Sequence, residues 1–289
     1  MTEQSVQTHV VVEGLEAITY DIRGDLSAAT AQRPALFLLG SPMDASGFGS
    51  LAAYFTDRPV VTYDPRGAGR NPTDTPEITP EQHAADIHRV IGALDAGPVD
   101  VSASSGGAVN ILALAAAHPG HVRRVIAHEP PTAMLLPDRE VALAACSDYK
   151  TTYQRAGSGP AMAKFITLVM AEGELPADYV AQPAPDPAMF GLLAEDDGAR
   201  TDPLMRNTPA CQAYLPDAEA LRTLGDRLIF GVGVESGQQL AARGGRSVAE
   251  LIGQPVTDFP SHHAGFLGGE FGQQGEPEAF ASTLRRVLD

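Results

Sequence analysis

The sequence predicts an α/β protein with a mostly parallel central sheet flanked by helices. Three observations predict it. Short, uniformly apolar runs at 35–39 and 59–63 have the length and pattern of strands buried on both faces. Helical segments with clear start signals separate such runs, and strands alternating with helices imply parallel pairing through crossovers. Finally, the strand-like run 99–102 passes into a helical stretch through Ala103-Ser104-Ser105-Gly106-Gly107, a sharp strand-to-helix turn built from tiny residues.

In chain order, 8–12 and 16–23 flank Gly14 and read as an opening antiparallel hairpin. Strands follow at 35–39, ending at Gly40, and at 59–63, ending at Asp64-Pro65-Arg66-Gly67. A helix starts at Pro80 and runs to Leu94: Thr79 suits the N-cap, Pro80 the first helical position, and Glu81 the positive end of the helix dipole. The strand at 99–102 leads into a helix at 108–117, and 124–128 is the next strand. From 132 to 215 no strand pattern occurs. Helices are predicted there at 137–155, 159–172 and 187–193, with the Pro-rich connector 181–187 before the last. Strands at 227–232 and 255–259 and a helix at 277–288 complete the chain. The expected organisation is a core of 1–131 and 216–289 with a helical cap, 132–215, inserted over the carboxyl ends of the strands, where ligands of such sheets bind. Met162, Phe165, Ile166, Leu168, Val169 and Met170 either line a pocket in that cap or form one helix's buried face.

Composition narrows the classes. The 289 residues suffice for a sizeable core. A net charge of −16 argues against nucleic acid, which needs clustered Lys and Arg. No 20-residue apolar span or export signal is legible, so no membrane association and a cytoplasmic location are expected. Cys146 and Cys211 have no metal-ligand spacing and read as reduced thiols. No HExxH, Cys/His cluster or Gly-rich phosphate loop occurs, so neither metal nor cofactor is implied.

The turn at 103–107 carries the chemistry. Small-x-Ser-x-Gly is the pattern of a nucleophile elbow, in which a serine takes a strained conformation that pushes its hydroxyl out of the turn. With Ser105 as nucleophile the small residues fall at Ala103 and Gly107, as the elbow requires. With Ser104 they fall at Ser102 and Gly106, a poorer fit.

From Leu36 onward the chain resembles the α/β-hydrolase superfamily, on four landmarks in the family's order. These are Leu39-Gly40-Ser41-Pro42, where the family has His-Gly-x-Pro; Asp64-Pro65-Arg66-Gly67-Ala68-Gly69; the elbow; and Pro260-Ser261-His262-His263-Ala264-Gly265-Phe266 after the last strand. The resemblance implies Ser105 as nucleophile, with the backbone N–H groups of Ser41 and Gly106 as the oxyanion hole. His263 fits the family's Pro-x-x-His-x-x-Phe as general base, and His262 is its competitor. The acid departs from the pattern. Ser236 occupies the usual position in Gly233-Val234-Glu235-Ser236, with Glu235 one residue early. Some relatives, certain haloalkane dehalogenases among them, carry instead a glutamate after the strand following the elbow helix, here Glu129. Glu129 is the first choice and Glu235 the second.

A serine nucleophile attacks acyl carbons. The resemblance therefore implies a cofactor-free esterase-like hydrolase acting on an ester, lactone or thioester of a small hydrophobic molecule, its partner a small-molecule substrate and a homodimer open. Two alternatives remain: a lyase or cyclase reusing the triad as acid and base, and a catalytically weak binding protein, which Leu39, Ala103 and Ser236 favour.

Overall fold

The computed structural model describes residues 5–14 and 16–289. Its strands are β1 (Val6–Glu13), β2 (Glu16–Arg23), β3 (Leu36–Leu39), β4 (Val60–Tyr63), β5 (Val99–Ser104), β6 (Val122–His128), β7 (Leu228–Gly233) and β8 (Val256–Phe259). They form one sheet in the order β1-β2-β4-β3-β5-β6-β7-β8. The β1–β2 hairpin pairs antiparallel and joins β4 antiparallel, and every pairing from β4 to β8 is parallel.

The helices are α1 (Gly49–Ala52), α2 (Pro80–Leu94), α3 (Gly106–Ala117), α4 (Arg139–Ala156), α5 (Ser158–Val169), α6 (Pro203–Gln212), α7 (Ala218–Arg222), α8 (Leu240–Ile252) and α9 (Pro277–Leu288). The start of α2 follows the sequence closely. Thr79 accepts from the Gln82 N–H, Gln82 returns a bond to the Thr79 N–H, and Pro80 opens the helix.

Side chains alternate across the sheet, as a period of two demands. Phe37 and Leu39 face the layer of α2, α3, α7 and α8, whereas Leu36 and Leu38 face Phe48, Leu51 and the α9 residues Phe280 and Leu284. Both faces are covered, which is why β3 and β4 read as unbroken apolar runs.

Helices α4, α5 and α6 lie between β6 and β7 and have a cluster of their own, including Tyr149, Tyr153, Leu168 and Met205. Leu168 is buried, with Met162 and Phe165 packed against the same cluster, so these members of the apolar stripe serve a helix face; Met170 is exposed. Some elements differ from the sequence expectation. The helix expected at 187–193 is a single turn, Pro187–Phe190, and α5 stops at Val169. Helix α6 was hidden by the internal Pro209, and α8 by Gly244 and Gly245 at its centre. No helix among the described residues is long and apolar enough to cross a membrane.

Candidate active site

The parallel strands deliver the candidate groups to one edge. Ser41 follows β3, Ser105 follows β5, Glu129 follows β6, and His263 lies in the loop after β8. The register pairs Ser104 with His128 and His128 with Gly231, which brings the ends of β5, β6 and β7 level.

Ser105 has φ 57° and ψ −132°, in a region L residues avoid. Its N–H donates to the His128 carbonyl at 3.0 Å, tying the turn to β6. The side chain is partly exposed. Ser104 is buried, and its Oγ lies 3.1 Å from Nδ1 of the buried His128. The two serines therefore point to different environments, and Ser105 has the exposed, strained one.

The flanking glycines are needed for close approach. A Cβ at Gly107 would lie 2.7 Å from Gly40 Cα and 2.9 Å from the Leu39 carbonyl oxygen, and one at Gly106 would lie 2.6 Å from the Ser41 carbonyl oxygen. The loop after β3 thus sits directly on the first turn of α3. As the first residue of α3, Gly106 has no intrahelical acceptor for its N–H, and the positive end of the helix points outward there. Asp64 holds the β3 loop from the other side. Its Oδ1 accepts from the Ala45 N–H at 3.1 Å and its Oδ2 from the Arg70 N–H at 2.7 Å, while the Arg70 side chain also pairs with it. The Asp64-Pro-Arg-Gly-Ala-Gly motif is in this sense a brace for the loop that carries Ser41.

Glu129 is completely buried and also has a positive φ, 48°. Its Oε2 lies 2.6 Å from His263 Nδ1, and its Oε1 accepts from the Gly233 N–H at 2.8 Å. Burial alone would push the carboxyl up. Burial is the largest single influence, but the His263 hydrogen bond, the electrostatic influence of His128 and His263 and the nearby Ser236 hydroxyl together outweigh it and bring the group down to about 2. Ser236, in the position where the family keeps its acid, has a buried hydroxyl without a partner in hydrogen-bond geometry among the described residues, yet close enough to help lower Glu129.

The second candidates lie elsewhere. Glu235 is exposed and accepts from the Ser261 hydroxyl at 3.3 Å. The His262 ring is occupied by its own loop: Nδ1 accepts from the Ala264 N–H at 3.1 Å, and Nε2 faces the Gln274 carbonyl at 3.2 Å.

Some supporting residues escaped the sequence reading. Gly233 supplies the donor to Glu129. Gly244 and Gly245 let α8 approach the backbone after β6: a Cβ at Gly244 would lie 2.5 Å from the Pro130 carbonyl oxygen, and one at Gly245 3.4 Å from Glu129 Cα. His128 is buried and pushed down to about 4 by that burial, so it is neutral at pH 7. The only signal for α8 was the helical spacing of Leu240, Val248, Ala249 and Ile252, interrupted by the glycine pair.

A strained serine at the mouth of a helix, two backbone segments in contact beside it, and a histidine held by a buried carboxylate thus stand at the carboxyl ends of the parallel strands. Residues 37–217 match the family model described as α/β hydrolase fold, and the chain belongs to that family. It is similar to the "Uncharacterized hydrolase YraK" of Bacillus subtilis (strain 168), 34% identical over 128 residues, which span 43% of this chain and 45% of YraK. The chain thus matches under half the length of that relative. Among solved structures it is similar to MGS-M2, an α/β hydrolase enzyme from a Medee basin deep-sea metagenome library, with a TM-score of 0.68, 14% identity and 97% of each chain covered. A hydrolase from Pseudomonas aeruginosa PA01 gives a TM-score of 0.64 at 18% identity over 98% of each chain. At such identities the likeness is one of fold.

Proposed function

We propose that this protein is a serine hydrolase that cleaves a carboxylic ester, lactone or thioester of a small hydrophobic molecule through Ser105, His263 and Glu129. One observation carries the reading: the 2.6 Å contact between buried Glu129 and His263 Nδ1. A carboxylate there keeps the proton on Nδ1, which leaves Nε2 as an acceptor for the serine proton.

In this mechanism His263 Nε2 takes the Ser105 proton as Oγ bonds to the acyl carbon. The carbonyl π electrons move to oxygen, where the N–H groups of Ser41 and Gly106 and the positive end of α3 meet the developing charge. Such donors contribute roughly 3–4 kcal/mol each in related chemistry. Collapse expels the alcohol or thiol, which receives its proton from His263. Water, deprotonated by the same nitrogen, then attacks the acyl-enzyme and releases the acid. Glu129 stays ionised throughout. The inserted helices within 132–215 act as the cap that selects the substrate.

Short-chain p-nitrophenyl esters, a lactone and an acyl thioester, assayed in ¹⁸O-labelled water, test the proposal. Hydrolysis puts one labelled oxygen into the acid product, and Ser105→Ala abolishes turnover. Turnover that survives Ser105→Ala, or a product without label, contradicts it.

A further inference from the structure

We propose that His88, His118 and His121 form a zinc-type divalent metal site that ties α2 to the C-terminal end of α3. The three side chains offer ring nitrogens that all lie within 4.8 Å of one another. Their ring centroids are 4.1 Å apart for His88 and His118, 4.6 Å for His88 and His121, and 5.7 Å for His118 and His121.

Local structure explains the convergence. Ile87, Val90 and Ile91 bury one stripe of α2 in the core layer that it shares with α3, and His88 stands partly exposed at the rim of that stripe. His118 ends α3, and Pro119-Gly120 turn the chain back so that His121 returns to it; the His121 N–H donates to the His118 carbonyl at 3.0 Å. The result is His-x-x-His in a turn facing a third histidine on a neighbouring helix.

Ring packing occupies the faces of these imidazoles but leaves a nitrogen of His88 unserved. His88 Nδ1 is buried with no hydrogen-bond partner among the described residues. Burying a polar atom without a partner is unfavourable, and a metal–nitrogen bond removes that cost. Coordination needs neutral rings, so binding weakens in acid.

Zinc binds imidazole at about 2.0–2.1 Å, so ligand nitrogens around a tetrahedral ion sit about 3.3–3.4 Å apart. Side-chain rotation therefore has to close a gap of at most about 1.5 Å, the difference between that spacing and the 4.8 Å limit. Three imidazoles leave one position for water or an external ligand, and nitrogen-only ligation suits zinc, copper or nickel over magnesium or calcium. The site is separate from the elbow. Ser105 precedes α3 and His118 follows it, and the twelve residues between rise about 18 Å.

The test uses the full-length protein, stripped of metal with a chelator and titrated with zinc chloride. One equivalent should bind. At free zinc a hundredfold above Kd the folded-to-unfolded ratio rises about a hundredfold, and Tm should climb by roughly 5 °C or more. His88→Ala and His121→Ala should each weaken binding at least tenfold, and His263→Ala should bind as the parent does. Copper(II) loaded onto the unaltered protein should show electron-paramagnetic coupling to three imidazole nitrogens, a readout that needs no variant to fold. No stoichiometric binding, binding undiminished in His88→Ala and His121→Ala, or coupling to fewer than three nitrogens would overturn the proposal.

Discussion

Replacing Glu129 by glutamine probes the catalytic assignment with little change in volume. The Gly233 N–H, 2.8 Å from Oε1, is a fixed donor and must face an oxygen. The amide can satisfy it only by presenting its carbonyl there, which turns the NH₂ toward His263 Nδ1, now 2.6 Å from Oε2. Nδ1 must then accept, the ring proton moves to Nε2, and Nε2 can no longer take the Ser105 proton. The opposite amide orientation sets two donors against each other at Gly233 and is no escape. The equivalent wrong-tautomer substitution in a serine protease costs about 10⁴ in kcat, or about 5 kcal/mol. Here kcat should fall between about 10² and 10⁴-fold, with KM little changed, for a p-nitrophenyl ester above pH 7. The Tm, measured in parallel, checks that the fold survives. A loss below tenfold, or a larger loss in Glu235→Gln, would refute the reasoning.

Ser105→Gly relieves a φ of 57° that Ser105→Ala retains; such strain costs about 1–3 kcal/mol, so the inactive Gly variant should have a Tm at or above that of the Ala variant, and a lower one contradicts the strained elbow. His263→Ala should remove turnover while His262→Ala keeps most of it, because the His262 ring serves only its own loop; a larger kcat/KM loss at His262 would reverse the assignment. Acid should destabilise the protein in two windows. His128 titrates at about 4 when folded against 6.5 unfolded, so the unfolded chain binds more protons between these values. This contribution, up to about 3 kcal/mol, is complete above pH 6.5 and lost as pH falls through 4. The lowered pKa of buried His83 acts in the same direction. Glu129, lowered from 4.5 to about 2, adds a second loss across that lower range. Urea unfolding of His128→Asn from pH 7 to 4 should show a flatter profile than the parent, and an equal slope contradicts the buried neutral histidine.

The sheet was legible because β3 and β4 are buried on both faces, which favours short, largely apolar runs, whereas β5, with Asp100 and Ser102 in it, was marked by the small-residue turn that follows. The elbow was legible because close approach to Gly40 and Ser41 demands glycine at 106 and 107. Glu129 carries no local signature. It follows β6 like any loop residue, and its contact with His263 is made across 134 positions of chain. The Gly233 donor is equally silent, since any non-proline residue has an N–H. Helix α8 was missed because its glycines serve tertiary contact with Pro130 and Thr132, which overrides their poor helix propensity.

The most direct test of the central claim is to trap the covalent intermediate. The protein is mixed with an activated ester, quenched in acid within milliseconds to seconds, digested and mapped by mass spectrometry. The account predicts an acyl mass on the peptide containing Ser104 and Ser105, assigned by fragmentation to Ser105, absent in Ser105→Ala and retained in Ser104→Ala. An acyl group on Ser104, or turnover of the ester with no acylated serine at any time point, would contradict it.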